Sequence, residues 1–139
     1  MQEGTVSSSG HPGVTAAFPR GDVYAAQCPT RSLLDRLADK WTVLVLTTLS
    51  DEPMRFNALR RRIEGVSQKM LSQTVRQLER DGLVDRAVEA TVPVSVTYSI
   101  TPLGATLVTA LQSVIDWAET SMPAVAEAQA RYDDRREPT

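Results

Sequence analysis

One cysteine and one histidine stand in the 139-residue sequence, and their scarcity removes whole classes of chemistry. Cys28 alone cannot close a disulfide within the chain or build a multi-cysteine metal site, so a reduced thiol is its expected resting state. His11 by itself leaves most catalytic and metal-binding constellations without a member, so neither a metal nor a cofactor is expected. No nucleophile, base and orienting group can be assembled from what remains, and enzymatic activity is not expected either. There is no run of eighteen apolar residues, and the first twenty-five residues lack both a basic start and an apolar stretch. Neither a membrane span nor a signal peptide is therefore predicted, and the chain reads as cytoplasmic. Aromatic residues make up only 5% of the sequence. Trp41 and Trp117 are expected to pack in a core or between subunits rather than to form an aromatic ligand box.

What is present is enough apolar residue, 42%, for one compact domain of this length. The net charge of −2 argues against polyanion binding as a bulk property, but its distribution argues for it locally. Between Arg55 and Arg86 eight cations (Arg55, Arg60, Arg61, Arg62, Lys69, Arg76, Arg80, Arg86) face four anions (Glu64, Glu79, Asp81, Asp85), which leaves −6 on the remainder. Phosphate attraction acts over roughly a Debye length of 8 to 10 Å, so a basic segment suffices inside an acidic chain.

The pattern divides the chain into a disordered or loosely ordered leader (1–26), a dense central region (27–122), and a C-terminal helical extension ending in a frayed charged tail (123–139). "PTRSLLDRLADKW" places Leu33, Leu34 and Leu37 on a short helix opened by Pro29. "WTVLVLTTLSD" predicts a central buried helix despite its β-branched residues. "RFNALRRRIEG" spaces Phe56, Leu59 and Ile63 by three and four and stops at Gly65. After a tight turn, Ser67 is placed to cap a further helix that ends at Asp81-Gly82. That helix puts Leu71, Val75 and Leu78 within about 60° of each other and Lys69, Gln73, Arg76 and Arg80 on the opposite edge. "LVDRAVEA" and "VSVTYSIT" bracket a turn, and strict alternation assigns Val94, Val96, Tyr98 and Ile100 to one face of a hairpin with Ser95, Thr97 and Ser99 on the other. A long helix from Pro102 carries a stripe of Leu103, Leu107, Leu111, Val114, Ala118 and Met122, with Val108, Ile115 and Trp117 beside it. A second copy of the chain is the simplest cover for so much apolar surface. The predicted fold is mainly α with a small β-hairpin, in the order of a winged helix-turn-helix.

"CP" at 28–29, "KW" at 40–41, "RF" at 55–56, "LRRRIEGVSQKMLSQTVRQLERDGLVDR" and "VTYSITPLG" at 96–104 together resemble the HxlR-type branch of MarR-like bacterial transcriptional regulators. The resemblance implies a homodimer of winged helices joined through N- and C-terminal helices, with double-stranded DNA as partner and control of nearby genes as activity. Two features depart from the family pattern. One proline, Pro93, stands where members have two, and Thr97 stands where they carry a charge. No cation lies between Glu89 and Val92, so a firm phosphate grip is not expected at the wing tip.

If the Ser67–Arg80 helix enters a major groove, Ser67, Gln68, Lys69, Ser72, Gln73 and Arg76 form its reading set, with Arg80 farther along the same edge. Gln pairs with adenine and Arg or Lys with guanine, each good pair giving roughly 1 to 3 kcal/mol of discrimination. Arg55, Arg60, Arg61 and Arg62 suit phosphates, which fix register without reading sequence. A merely solvated charged face is the competing interpretation of the same residues. Cys28 falls at a helix start, where unpaired N–H groups favour an anion, and the thiolate is the reactive form of cysteine. The resemblance implies a sensor of electrophiles or oxidants at this position; a buried, inert thiol is the alternative. Arg31, three residues on, is a candidate to stabilise the thiolate. With one cysteine per chain, any protein disulfide must be intermolecular. Two further functions fit the residues: a regulator gated by a small ligand at the dimer crevice, and a winged-helix module that binds protein.

Overall fold

The computed structural model describes residues 21–136. The expected leader lies outside the described residues as far as residue 20, and so do His11 and the last three residues. Beyond it the backbone turns, with the Ala25 N–H bonded to the Asp22 carbonyl at 3.0 Å and the Cys28 N–H to the Ala25 carbonyl at 3.2 Å. Helices α1 (Pro29–Leu37) and α2 (Lys40–Asp51) follow, then β1 (Met54–Arg55), α3 (Phe56–Arg62), α4 (Gln68–Arg80), β2 (Val84–Glu89), β3 (Ser95–Ile100) and α5 (Pro102–Arg136).

Local chemistry accounts for the starts and stops. Cys28 is the N-cap of α1, and Pro29 takes the first position, where a missing N–H costs nothing. The Asp39 carboxylate accepts the Trp41 N–H at 3.0 Å and so opens α2 directly after α1. Gly65 and Gly82 hold positive φ, 92° and 78°, at the turns following α3 and α4, where a Cβ would be strained.

The central buried helix expected from "WTVLVLTTLSD" is α2: Val45 and Leu46 are 0% exposed and Leu49 is 2% exposed. Burying each such side chain contributes about 1.5 to 3 kcal/mol, several times the few tenths lost to β-branched helix propensity. Around α2 pack the inner face of α4, the sheet and the first turns of α5, where Leu107, Val108 and Leu111 meet the core. Trp41 joins this packing, with the Lys40 ammonium 4.7 Å from its ring centroid.

The hairpin is present, with Val84 opposite Ile100 and Glu89 opposite Ser95, but it belongs to a three-stranded antiparallel sheet of order β1-β3-β2. In β1, Met54 pairs with Tyr98 and Arg55 with Thr97. Val96, Tyr98 and Ile100 face the core as alternation predicts. Val94 does not: it lies past the last pair of the ladder and is 68% exposed. Ser95, assigned to the open face, is instead buried, and its hydroxyl has no partner among the described residues.

The Thr101 hydroxyl joins two elements, donating to the Gly82 carbonyl at 2.7 Å and accepting the Gly104 N–H at 3.0 Å, so the start of α5 is fixed to the end of α4. Helix α5 then runs unbroken through Pro123 to Arg136, and residues 131–136, expected to fray, are helical. At 1.5 Å per residue it is roughly 50 Å long. Of the predicted stripe only Leu107 and Leu111 reach the core; Leu103, Val114 and Met122 remain exposed, as does Trp117 beside them. Among the described residues no helix is long and apolar enough to cross a membrane.

Candidate nucleic-acid interface

Helices α3 and α4 are joined by residues 63–67, making a helix-turn-helix. Leu59 and Ile63 anchor the first helix in the core, at 0% and 5% exposure. Ser67 caps the second, its hydroxyl accepting the Met70 N–H at 3.0 Å. The inner face of α4 consists of Leu71, Thr74, Val75 and Leu78, all buried. At about 100° per residue, Lys69, Gln73, Arg76 and Arg80 centre on the opposite side, and all four are exposed. The burial of one row thus forces the other outward.

The rest of the predicted set is distributed around this ridge. Ser67 and Gln68 are exposed at the start of α4, and Ser72 is half-buried on its flank. Gln68, Ser72 and Arg76 line one wall of a cleft of about 500 Å³, and the opposite wall is sheet. That wall carries Arg86, which sequence reasoning counted among the cations but did not place in the site. No motif marked it; Arg86 joins the site because the hairpin register sets it directly across from Tyr98, and cross-strand partners share a face. Arg55, Arg61 and Arg62 border a second, wider cleft of about 1180 Å³ between the start of α3 and the wing tip. Arg60 is exposed but lines neither cleft.

Electrostatics separate these cations into two groups. Arg80 lies 4.0 Å from Asp81, and Asp81 is itself held by Arg36 at 3.1 Å. For Arg55, Arg60, Arg61, Arg62, Lys69, Arg76 and Arg86 there is no ion-pair partner among the described residues. The wing tip offers the opposite surface, with Val88, Val92 and Val94 exposed and no cation from Ala87 to Val96.

Cys28 stands apart from this face, 6% exposed at the start of α1. A Cβ added at Gly21 would run into its sulfur, so the backbone before α1 lies directly on the thiol. Nothing in the sequence pattern announced this cover. Arg31 does not serve as a partner for the thiol; its guanidinium donates to the Tyr24 carbonyl at 3.3 Å.

Comparison with known proteins follows the same outline. The sequence pattern of the HxlR-like helix-turn-helix family matches residues 36–126. The HTH-type transcriptional regulator YtfH of Escherichia coli (strain K12) is 42% identical over 105 residues, which cover 76% of this chain and 83% of YtfH. The structure of the transcriptional regulator YtfH from Salmonella typhimurium superposes with a TM-score of 0.75 at 40% identity, covering 80% of this chain and 99% of that one. The reduced form of the transcriptional regulator YodB from B. subtilis gives 0.59 at 34% identity over 67% of this chain and 92% of YodB.

Proposed function

Because the chain belongs to the HxlR-like helix-turn-helix family and is a transcriptional regulator of that type, we propose that it acts in the cytoplasm as a homodimer on an inverted-repeat operator, in answer to electrophiles or oxidants at Cys28. One observation carries the DNA-binding part: the Lys69, Gln73, Arg76 and Arg80 ridge lies opposite the buried row of α4 and reaches solvent. Placed in a major groove, the start of α4 brings Ser67, Gln68, Lys69, Ser72, Gln73 and Arg76 to base edges. Arg55, Arg61, Arg62 and Arg86, from the two clefts that flank the ridge, take phosphates on either side, with Arg60 nearby. The exposed Val114, Trp117 and Met122 on α5 and Leu34 on α1 supply apolar surface for a second copy. Two recognition helices related by a two-fold axis read half-sites about one helical turn, or a multiple of it, apart.

The redox part rests on the position of Cys28 at a helix start and on the similarity to YodB, whose structure is described as a reduced form. With one thiol per chain, diamide joins two Cys28 sulfurs from separate molecules. The disulfide bond forms, and the two thiol hydrogens pass to the diamide nitrogens, reducing it to the hydrazine. Binding to the upstream region of its own gene, measured by fluorescence anisotropy with and without diamide, tests both parts. Diamide is expected to change the affinity of the wild type by tenfold or more and to leave Cys28→Ser unchanged. An equal response in both proteins would remove Cys28 from the mechanism, and no binding at low salt would remove the DNA reading.

The exposed, cation-free wing favours a second reading, in which the same scaffold docks on protein. Salt separates them, because DNA affinity falls with a log-log slope of about −0.9 per neutralised phosphate.

A further inference from the structure

Helix α4 is tied to α1 by an ion pair between residues far apart in sequence. Arg36, in the last turn of α1, grips the Asp81 carboxylate with two parallel hydrogen bonds, Nε to Oδ2 and Nη2 to Oδ1, each 3.1 Å. Asp81 is the C-cap of α4, and its side chain is only 10% exposed. An anion at this end opposes the helix dipole, which favours cations there, and burial adds the cost of desolvating it. Local energetics therefore disfavour Asp81, and the compensation comes from a helix 45 residues away in sequence. The Gln77 amide also donates to Oδ1, at 3.3 Å, so the carboxylate is fixed from α4 as well.

On the other side of the pair, α1 has little else to hold it. None of its nine residues is buried, and Leu37 is its one side chain packed against the core. The helix is a rod roughly 13 Å long, with Cys28 at one end and Arg36 near the other. At the Cys28 end the thiol is covered by the backbone at Gly21, so a group attached to the sulfur must displace either that cover or the start of the rod.

We propose that Arg36 and Asp81 are positioning residues: their bidentate pair sets the placement of the recognition helix and transmits a change at Cys28 along α1 to the end of α4. This rests on the DNA-binding reading above for its functional consequence, but not for its physical test. The rod converts a displacement at its N-cap into a pull on Asp81, and α4 moves because Gln77 and the cap bonds make Asp81 part of it.

The test uses the full chain as wild type, Asp81→Asn, Arg36→Ala and the exchanged pair Arg36→Asp with Asp81→Arg. N-ethylmaleimide is the probe; the Cys28 sulfur adds to its double bond, and the proton passes to the neighbouring carbon. Promoter affinity and hydrogen exchange of the amides at 77–83 are read before and after modification. In Asp81→Asn the shape is kept and no buried charge is stranded, since Arg36, 35% exposed, still reaches water. Its affinity is expected to fall on the order of tenfold, and modification should then change neither readout, whereas both change in the wild type. The exchanged pair should restore both responses, because it re-forms the link between the two helix ends with the charges reversed. Asp81→Asn binding and responding as the wild type would overturn the proposal, as would a wild type indifferent to N-ethylmaleimide in both readouts. Should Arg36→Ala unfold, Asp81→Asn decides alone. If the wild type binds no promoter DNA, the functional reading fails, and the exchange at 77–83 still decides the linkage.

Discussion

Replacing Lys69 and Arg76 together by alanine is expected to lower promoter affinity about 100-fold while leaving the fold intact. Both side chains stand on the solvent face of α4, and neither has an ion-pair partner among the described residues. Their removal therefore takes nothing from the core, and alanine is a better helix former than either. Surface changes of this kind stay within about 0.5 kcal/mol of wild-type stability. On DNA the loss is different, because each good base or phosphate contact is worth roughly 1 to 3 kcal/mol, and two such losses make about 100-fold. Anisotropy titrations paired with thermal melts provide the check. A double variant that binds as tightly as the wild type would show that duplex DNA meets some other face.

Leu71→Ala gives the largest loss of stability expected on α4. Leu71 is 0% exposed, pointing from α4 into the core. Truncating such a leucine removes its transfer free energy and leaves a cavity, a cost of about 2 to 5 kcal/mol. The melting temperature should fall by 10 °C or more. Gln73→Ala, two residues on and exposed, should shift it by less than about 3 °C. Calorimetry on the two variants settles the orientation of α4 without reference to DNA: similar melting points would mean that the helix is rotated and Leu71 does not face the core.

The parts of the fold that the sequence announced are those governed by local period. Leu71, Val75 and Leu78 at helical spacing located the inner face of α4, and Val96, Tyr98 and Ile100 at alternate positions located the core side of β3. Both patterns work because one face of each element is buried. Elements that depend on a distant partner left no such trace. Strand β1 is two residues long and is a strand only because Met54 and Arg55 pair with Tyr98 and Thr97. Arg86 enters the site through the same hairpin register, not through any motif of its own. The clasp between Arg36 and Asp81 spans two segments whose polar residues, taken separately, look like ordinary solvated positions. Pro123 stands where the predicted apolar stripe stops and the C-terminal helical extension begins. A proline inside a helical pattern signals an end, yet α5 continues past it, with Glu127 and Arg131 paired at 3.2 Å and Arg136 5.7 Å from the Tyr132 ring centroid along its last turns. At the candidate site, the outward ridge followed from periodicity alone. The cover over Cys28 did not, because it is made by the backbone at Gly21, where no side chain advertises it.

The seven cations around α3 and α4 that lack an ion-pair partner among the described residues also act on the protein when nothing is bound to them. Arg55, Arg60, Arg61, Arg62, Lys69, Arg76 and Arg86 have no ion-pair partner among the described residues, although Glu79 lines the cleft that Arg76 and Arg86 share, and like charges within a Debye length raise the free energy of the folded chain. Dissolved ions therefore pull in two directions: they quiet this self-repulsion and firm up the solitary protein, while competing for the phosphates that would otherwise quiet it. Dilute conditions are thus expected to leave the solitary chain least at ease while making its proposed hold on a polyanion strongest.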